Sequence, residues 1–347
     1  MKKILITGTE GYIGARMAPI LGAHGYDVTG LDSAFYRDGC LYVDPIAMPS
    51  APRTLFRDLR TIVARDLEGF DAVVHLAELS NDPLGENRPE ITFKINHEGS
   101  VRIATAAKAA GVERFVYASS CSVYGIGSGN ETLDESSSTN PQTAYAKCKV
   151  AVERDVSSLA SPEFCVTFLR NATAYGPSPR MRFDIVLNDL CALAWTKKRI
   201  AMISDGSPWR PIVHIEDIID AFRCTLEAPM TVVNREVFNV GGTAENYRIR
   251  EIAAIIAEVF PGCELTAGPP SPDNRSYRVS CDKIATKLPG FQTRWTARRG
   301  AEELRALFER IEFTEDMYRF RAFTRLKQLH YLQRTRQNDE DLEWRRT

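Results

Sequence analysis

A short apolar strand followed by three spaced glycines constrains the fold of this chain more than any other feature. Residues 4–7 read Ile-Leu-Ile-Thr, and the glycines that come next are Gly8, Gly11 and Gly14. Glycines at this spacing allow a tight turn, a close approach of the backbone to a pyrophosphate, and packing of the next helix on the strand. The first amides of that helix then point at the phosphates. The pattern predicts a dinucleotide-binding unit.

A carboxylate beyond the glycine turn indicates which dinucleotide is bound. A second strand, predicted over Asp27–Leu31, ends at Asp32, 24 residues after Gly8. A carboxylate about 20 residues beyond such a turn accepts hydrogen bonds from the adenosine ribose. Because it also repels a 2′-phosphate, the sequence predicts NAD rather than NADP. A role for Asp32 as an ordinary turn cap stays open.

Tyr145 and Lys149 carry the second chemical signal, because a spacing of four residues puts both side chains on one face of a helix. A lysine ammonium stabilises a phenolate, so the phenol can act as a base nearer to neutral pH. Ser120 can orient a substrate hydroxyl whose proton the tyrosine removes. A Tyr-x-x-x-Lys pair occurs by chance in most chains of this length, so the prediction depends on the cofactor signals upstream.

Composition and charge exclude several other classes of protein. The formal net charge of −1 gives no electrostatic basis for binding nucleic acid or an anionic membrane. No apolar run approaches the ~18 residues of a membrane span. The start, Met1-Lys2-Lys3, leads directly into a strand without the apolar stretch of a signal peptide. The eight cysteines form no Cys-x-x-Cys pair and show no metal-site spacing, so we expect a cytoplasmic protein without a metal.

The first half of the chain alternates strand and helix patterns. This predicts an α/β fold, a doubly wound (Rossmann) parallel sheet with a smaller C-terminal substrate-binding lobe. In such a fold, ligands bind beyond the carboxyl ends of the strands. The predicted strands are Lys3–Thr7, Asp27–Leu31, Ala72–Ala77, Arg114–Ser119 and Cys165–Arg170. The predicted helices are Ala15–Ala23, Glu98–Ala110 and Ala144–Leu159.

The pattern changes after about Tyr175, where Gly176-Pro177-Ser178-Pro179 interrupts the chain. Later segments predict helices over Phe183–Trp195 and Ile249–Phe260, a strand over Val237–Val240 and a proline-rich loop over Gly268–Asn274. We therefore divide the chain into a cofactor-binding domain (1–175) and a substrate lobe (176–310), from which strands or helices can return to the first domain. The third part of the chain is a charged helical extension (311–347) with a solvated face.

Together these motifs resemble the extended short-chain dehydrogenase/reductase family, and within it the NAD-dependent nucleotide-sugar epimerases and dehydratases. The resemblance extends from Lys3 to about Leu307, and its central block is residues 117–125, Tyr-Ala-Ser-Ser-Cys-Ser-Val-Tyr-Gly. It implies that Ser120, Tyr145 and Lys149 are catalytic and that NAD is the cofactor. The cofactor-binding residues that it implies are Gly8, Gly11, Tyr12, Ile13, Gly14, Asp32, Asp58, Leu59, Leu76, Ala77, Asn96, Tyr145 and Lys149.

The resemblance also implies a nucleotide-diphosphate sugar as substrate. Arg210 and Arg275 resemble two family arginines that grip the diphosphate through bidentate hydrogen bonds, with solvated surface arginines as the alternative. Relatives usually pair through the helices that correspond to Glu98–Ala110 and Ala144–Leu159, so we expect a homodimer. The remaining candidate substrate contacts are Glu78, Ser80, Ser120, Ser122, Asn171, Thr173 and Asn188.

Two departures from the family pattern bear on the reaction. Thr173 stands where asparagine is common, which leaves Asn171 to compensate. Cys121 and Ser122 stand where the dTDP-glucose dehydratases carry an Asp-Glu pair, and this disfavours the usual acidic route to dehydration. Cys121 can act as an acid/base thiol if its neighbours lower its pKa, or it can be a small residue packed beside the serine.

The expected activity is epimerisation of a nucleotide-sugar through transient oxidation at C4, with hydride transfer to NAD and back. The alternative activities are those of a dehydratase, a 5-epimerase or a reductase that uses Cys121. A non-catalytic NAD-binding scaffold is a further alternative. A scaffold has no need of Ser120, Tyr145 and Lys149 together, so the sequence favours an enzyme.

Overall fold

The computed structural model describes residues 2–43, 53–80, 88–127, 131–270 and 275–345. Its strands, numbered in chain order, are β1 (Lys3–Thr7), β2 (Asp27–Asp32), β3 (Arg53–Phe56), β4 (Ala72–His75), β5 (Arg114–Ser120), β6 (Thr132–Leu133), β7 (Cys165–Asn171), β8 (Thr173–Tyr175), β9 (Arg199–Ala201), β10 (Trp209–His214), β11 (Glu236–Val240), β12 (Asn246–Arg248), β13 (Glu264–Thr266) and β14 (Arg278–Val279). Its α-helices span Gly14–Ala23, Pro89–Thr92, Gly99–Ala109, Ala144–Ser157, Val186–Lys197, Ile215–Glu227, Met230–Val233, Ile249–Val259, Asp282–Lys287, Ala297–Arg310, Glu315–Arg319 and Arg325–Arg334. A π-helical segment covers Phe93–Glu98, and short 3₁₀ turns cover Leu59–Thr61, Ala64–Asp66, Cys121–Tyr124 and Arg321–Phe323.

Seven parallel strands form the central sheet, in the order β11-β7-β5-β4-β1-β2-β3. The doubly wound α/β fold predicted from the strand–helix alternation is therefore confirmed. All the strands predicted in the first half are present, and their ends shift by two residues or fewer. The sequence analysis does not predict β3, because this short edge strand is only partly buried and lacks a continuous apolar run.

Both faces of the central sheet are buried, which explains why its inner strands are continuously apolar. Successive side chains of a strand point to opposite faces, so Leu5 and Ile6 of β1 belong to two different hydrophobic clusters. The sheet thus has a core on each side. Helices Gly14–Ala23 and Ile215–Glu227 supply the first core, and helices Gly99–Ala109 and Ala144–Ser157 supply the second.

The strand predicted over Val237–Val240 exists and forms the edge of the central sheet as β11. It pairs in parallel with β7, with Phe238 beside Leu169. Phe238 is fully buried, so packing against the sheet decides where this strand lies. The central sheet thus includes a strand from well beyond residue 175. The domain boundaries at residues 175 and 310 stay predictions.

The second lobe consists of short elements around two helices, Val186–Lys197 and Ile249–Val259. Strands β8, β10 and β12 form a three-stranded sheet, and β9 pairs with β13. The helix predicted from Phe183 begins later, at Val186, because the backbone of the preceding residue, Ile185, is still extended. Of the predicted loop Gly268–Asn274, residues 271–274 lie outside the described residues.

The charged C-terminal extension is solvated on one side only. On its inner side, Phe313 packs 5.3 Å from the ring of Phe183, and Phe323 lies 5.8 Å from the same ring. Further along, the side-chain amide of Gln328 donates a hydrogen bond to the Phe35 carbonyl at 2.9 Å. The extension therefore crosses from the second lobe to the first domain, a path that its charged composition does not reveal.

Candidate active site

A cavity of about 980 Å³ lies where the central strands end. Gly8 follows β1, Asp32 ends β2, Leu76 follows β4 and Ser120 ends β5, and all four residues line the cavity. The carboxyl ends of parallel strands meet at one edge of the sheet, so residues distant in sequence share one space. The predicted site residues that line this cavity are Gly8, Gly11, Tyr12, Ile13, Gly14, Asp32, Asp58, Leu59, Leu76, Ala77, Glu78, Ser80, Ser120, Ser122, Tyr145, Lys149, Asn171, Thr173, Arg210 and Arg275.

The glycine turn is so tight that side chains are excluded from two of its positions. Gly8 has a φ of +82°, a conformation that L side chains rarely adopt. A methyl group on Gly14 would overlap with the carbonyl oxygen of Gly8. The turn therefore presents bare backbone and the start of helix Gly14–Ala23 to the cavity, which is the form of a pyrophosphate cradle.

Asp32 lies in the cavity wall with only 7% of its surface exposed. Its two carboxylate oxygens accept hydrogen bonds from the backbone amides of Glu10 at 2.9 Å and Ala34 at 2.7 Å. These bonds fix the carboxylate and leave lone pairs for ribose hydroxyls. Burial raises the pKa of Asp32 to about 6, although the two amides and the charge of Arg325 act against the shift.

The helix Ala144–Ser157 places Tyr145 and Lys149 at the cavity. Its start is fixed by Thr143, whose hydroxyl accepts a hydrogen bond from the Ala146 amide at 3.2 Å. One turn after Tyr145, the Lys149 ammonium lies 5.2 Å from the centre of the tyrosine ring. Ser120 lines the same cavity from the end of β5, and its oxygen accepts the Ser122 amide at 3.1 Å. The fold therefore brings the three predicted catalytic side chains to one cavity.

A family model described as the NAD dependent epimerase/dehydratase family matches residues 4–241. The chain belongs to this family. It is accordingly an enzyme, and NAD is its cofactor. The match confirms the family and the cofactor that the glycine turn, Asp32 and the Tyr-x-x-x-Lys pair predict.

Several known proteins are similar to the chain along most of its length. The UDP-glucose 4-epimerase of Corynebacterium glutamicum is 28% identical over 272 residues, which cover 74% of this chain and 80% of the relative. The dTDP-D-glucose 4,6-dehydratase of Mus musculus is 27% identical over 256 residues, which cover 70% of this chain and 69% of the relative. The solved structure of MoeE5 in complex with UDP-glucuronic acid and NAD is 26% identical, with a TM-score of 0.75 over 89% of this chain and 99% of the other. The relatives of this epimerase/dehydratase family member thus include both types of enzyme.

The raised pKa of Asp32 predicts that the affinity for NAD depends on pH. A protonated carboxyl group loses an acceptor for the ribose hydroxyls, so NAD binds best to the ionised form. We expect the Kd for NAD to be constant above pH about 6, and to rise below that pH by up to about tenfold per pH unit. Calorimetric titrations across this range test the expectation, with Asp32→Asn as the variant that binds weakly and loses the pH dependence. A wild-type Kd that stays constant well below pH 6 would contradict it.

Among the uncharged side chains that line the cavity in the described part of the chain, two have a buried polar atom without a hydrogen-bond partner. These atoms are the hydroxyl oxygen of Ser122 and the side-chain oxygen of Asn171. Asn171 lies directly opposite Ser120 in the register of β5 and β7. A buried polar atom without a partner costs about 1–3 kcal/mol, so a ligand hydroxyl that bonds here regains that free energy. Ser122 and Asn171 are therefore suited to a polyhydroxylated ligand beside Ser120, and Thr173 lines the same cavity.

Arg210 and Arg275 line the cavity from the second lobe. The guanidinium of Arg210 donates hydrogen bonds to the backbone carbonyls of Arg275 and, at 2.9 Å, of Trp209. The two arginines are thus adjacent although 65 residues separate them. Two arginines that line one cavity are suited to a diphosphate, because a guanidinium can form charge-assisted bidentate bonds.

The structure does not bring Cys121 to the cavity. Its side chain is 1% exposed, and the thiol donates a hydrogen bond to the Arg170 carbonyl at 3.1 Å. Burial raises the pKa of this thiol, so a thiolate is disfavoured as well. This buried position matches the alternative of a small packed residue rather than that of an acid/base thiol.

Asn96 and Asn188 also lie behind the cavity wall. Asn96 holds the backbone of Leu79 by accepting its amide at 2.8 Å and donating to its carbonyl at 3.0 Å. Asn188 accepts the Gly176 amide at 3.0 Å and donates to the Tyr12 hydroxyl at 3.1 Å. Both side chains therefore support residues that line the cavity and do not line it themselves.

The cavity contains residues that the sequence analysis does not predict. Arg182 donates a hydrogen bond to the Ser80 hydroxyl at 3.1 Å and forms an ion pair with Asp184 at 2.8 Å. Arg325, from the C-terminal extension, is 3% exposed and lies 4.1 Å from the ring centre of Tyr36. One sequence signal could have indicated Arg182: it follows the Gly176-Pro177 break closely, in the loop after a strand end, where ligands bind in such folds. No local pattern marks Arg325, since only the fold brings the extension to this site.

Within the described ranges, no group of three His, Cys, Asp or Glu residues is placed to hold a metal ion. In the same part of the chain, no helix combines the length and the apolar character that crossing a membrane requires.

Proposed function

We propose that this protein is an NAD-dependent nucleotide-sugar epimerase that transiently oxidises the sugar at C4. One observation supports the proposal above all: the cavity lined by the glycine turn and Asp32 is also lined by Tyr145, Arg210 and Arg275. One cavity therefore combines a surface for a dinucleotide, a candidate base and two arginines that can bind a diphosphate. A redox-neutral reaction on a nucleotide-sugar needs this combination.

Each residue has a distinct role in this proposal. Tyr145 removes the proton of the C4 hydroxyl, and the Lys149 ammonium stabilises the phenolate that does so. Ser120 donates a hydrogen bond to the same sugar oxygen. The glycine turn and Asp32 would hold NAD, which would supply the acceptor for a hydride from C4 and the source of its return. Tyr145 finally gives the proton back to the sugar oxygen, while Arg210 and Arg275 retain the diphosphate so that the sugar can present its other face.

Epimerisation is favoured over dehydration because elimination needs a further acid and a further base. Positions 121 and 122 carry a thiol and a hydroxyl. The thiol of Cys121 is buried and donates a hydrogen bond to the Arg170 carbonyl, and burial raises the pKa of the thiol. The Ser122 hydroxyl is a hydrogen-bonding group and a poor general acid. The similar 4,6-dehydratases therefore give the second candidate function and not the first.

Incubation of the protein with a panel of UDP- and dTDP-sugars tests the proposal. We expect conversion of one sugar to its C4 epimer with only catalytic NAD, detected by nuclear magnetic resonance. A dehydratase would instead release a product lighter by one water, and a reductase would consume nicotinamide in proportion to product. Either result, or no epimer from any sugar that binds, would contradict the proposal.

We also propose that the protein acts as a homodimer in the cytoplasm. The helices Gly99–Ala109 and Ala144–Ser157 pack against each other, and the second carries Tyr145 and Lys149. They correspond to the helices through which, by the family resemblance, two copies are expected to pair. A second copy on this surface would stabilise the helix that carries Tyr145 and Lys149. A solution mass of one chain by light scattering at micromolar concentration would count against the dimer.

A further inference from the structure

A buried ion pair lies behind the candidate base. The Lys149 ammonium is 2.8 Å from a carboxylate oxygen of Glu78, and the two side chains are only 4% and 2% exposed. Glu78 comes from the segment just after β4, whereas Lys149 comes from the helix Ala144–Ser157. The sequence analysis predicts a substrate contact for Glu78. The structure directs its carboxylate to the lysine, although Glu78 also lines the cavity.

The carboxylate of Glu78 is held by groups on two further elements. Its other oxygen accepts a hydrogen bond from the Tyr117 hydroxyl of β5 and a longer one, at 3.4 Å, from Ser100. Ser100 is in turn hydrogen-bonded to His75 at 2.8 Å, and His75 to Thr7 at 2.7 Å. A chain of buried polar groups therefore leads from the strand before the glycine turn to the lysine.

The lysine is fixed as firmly as the carboxylate. Its ammonium also donates to the Ala118 carbonyl, and it lies 4.6 Å from the ring centre of Tyr117 and 5.2 Å from that of Tyr145. A buried ion pair contributes little to stability, because desolvation of both charges offsets their attraction. The Glu78–Lys149 ion pair therefore requires an explanation other than stability. The position of its ammonium next to the ring of Tyr145, the candidate base, offers one.

We propose that Glu78 is a positioning residue that anchors the Lys149 ammonium and sets the pH at which the Tyr145–Lys149 pair loses its first proton. This rests on the proposed function, in which that pair supplies the base. Glu78 touches neither the sugar nor the cofactor in this role. It acts through the charge and the place of the lysine.

The other titratable groups around the pair do not account for such an effect. On the same helix, burial raises the pKa of Cys148 to about 12. On β4, burial and the Lys149 charge lower the pKa of His75 to about 3, and on β5 burial raises the pKa of Tyr117. The charge of Arg182 faces Tyr145 from the second lobe and is fixed at all these pH values.

The pKa of Lys149 itself is raised. Burial acts to lower this pKa, but the charges of Glu78 and Tyr145 outweigh the effect of burial.

The direction of the effect does not depend on which of the two groups loses its proton. Before that loss the Tyr145–Lys149 pair carries one positive charge, and after it the pair is neutral. The negative charge of Glu78 opposes either loss, because it attracts the Lys149 ammonium and repels a Tyr145 phenolate. Glu78→Gln therefore moves the first deprotonation of the pair to lower pH, by roughly one unit or more for a proton lost from Lys149, which Glu78 contacts directly, and by less for a proton lost from Tyr145.

The test uses the full chain without substrate. The tyrosinate ultraviolet band, corrected by the same titration of a Tyr145→Phe variant, reports Tyr145. Competitive acetylation with mass-spectrometric readout reports the proton on Lys149. We expect the earlier of the two midpoints to fall in Glu78→Gln, by roughly one pH unit for Lys149 and by less for Tyr145, and to stay near the wild-type value in Glu78→Asp, which keeps the charge.

Unshifted midpoints in Glu78→Gln, or a shift to higher pH, would overturn the inference. Glutamine has the shape of glutamate, and circular dichroism checks that the variant folds. If it does not, Glu78→Ala must show the same downward shift, and its absence is equally decisive. The outcome is independent of the proposed function, since a failure of all nucleotide-sugars to react would leave these midpoints unchanged.

Discussion

Replacing Tyr145 with phenylalanine lowers kcat by about 10³-fold or more, because it removes the proposed base that accepts the sugar proton. The substitution deletes one oxygen atom and keeps the ring that packs near Lys149. We therefore expect the Kd for NAD to change by less than about threefold, since the glycine turn and Asp32 are untouched. Single-turnover reduction of NAD, followed by absorbance, separates this loss of chemistry from a loss of binding.

A matched control distinguishes the effect from the general loss of a phenol. Tyr331 lies on the helix Arg325–Arg334 and does not line the cavity. Tyr331→Phe should keep wild-type turnover and NAD affinity. Wild-type turnover in Tyr145→Phe would refute the proposed mechanism, whichever sugar proves to be the substrate.

Replacing Gly14 with alanine should abolish NAD binding. The added methyl group would overlap with the Gly8 carbonyl, and the neighbouring obstacles are the backbone atoms of Gly8 and Thr9. Backbone atoms cannot rotate away as a side chain does, so the turn itself must open. Overpacking of this kind costs about 3 kcal/mol or more at its severe end, which corresponds to a Kd raised by at least about 100-fold.

Two other glycines of the same segment provide a graded series. At Gly22, in the same helix, an added methyl group meets no atom within 4 Å. Gly22→Ala should keep NAD affinity and gain up to about 1 kcal/mol of stability from helix propensity. At Gly11 the methyl group would lie 3.0 Å from the Gly8 carbonyl oxygen, so Gly11→Ala should be intermediate. Calorimetry gives the Kd and thermal unfolding gives Tm; equal NAD affinity in all three variants would contradict the proposed cradle.

The parts of the site that the sequence predicts are those encoded within a few residues of chain. The glycine turn needs a fixed local spacing, and Tyr145 and Lys149 are neighbours because the helix period makes them so. Ser120 is found because it ends a buried strand next to a distinctive block. These signals can be recognised without knowledge of the fold, because each physical constraint acts on residues that are close in sequence.

The residues whose roles the sequence does not reveal depend on contacts between distant segments. Glu78 looks like a substrate contact until the fold places Lys149 against it, at a separation of 71 residues. Cys121 looks reactive beside Ser120, yet its side chain turns into the core. Arg325 has no local signal at all, because the C-terminal extension reaches the cavity only through its packing across both lobes.

The sequence by itself determined the doubly wound sheet and the use of NAD, and it predicted the catalytic trio, because strand–helix alternation, glycine spacing and helix period are properties of short stretches of chain. Only the tertiary structure decided that β11 forms an edge of the sheet, that Cys121 is buried, and that a carboxylate forms an ion pair with the lysine. Burial and charge pairing are fixed by what packs against a side chain, and that information is spread over the whole chain.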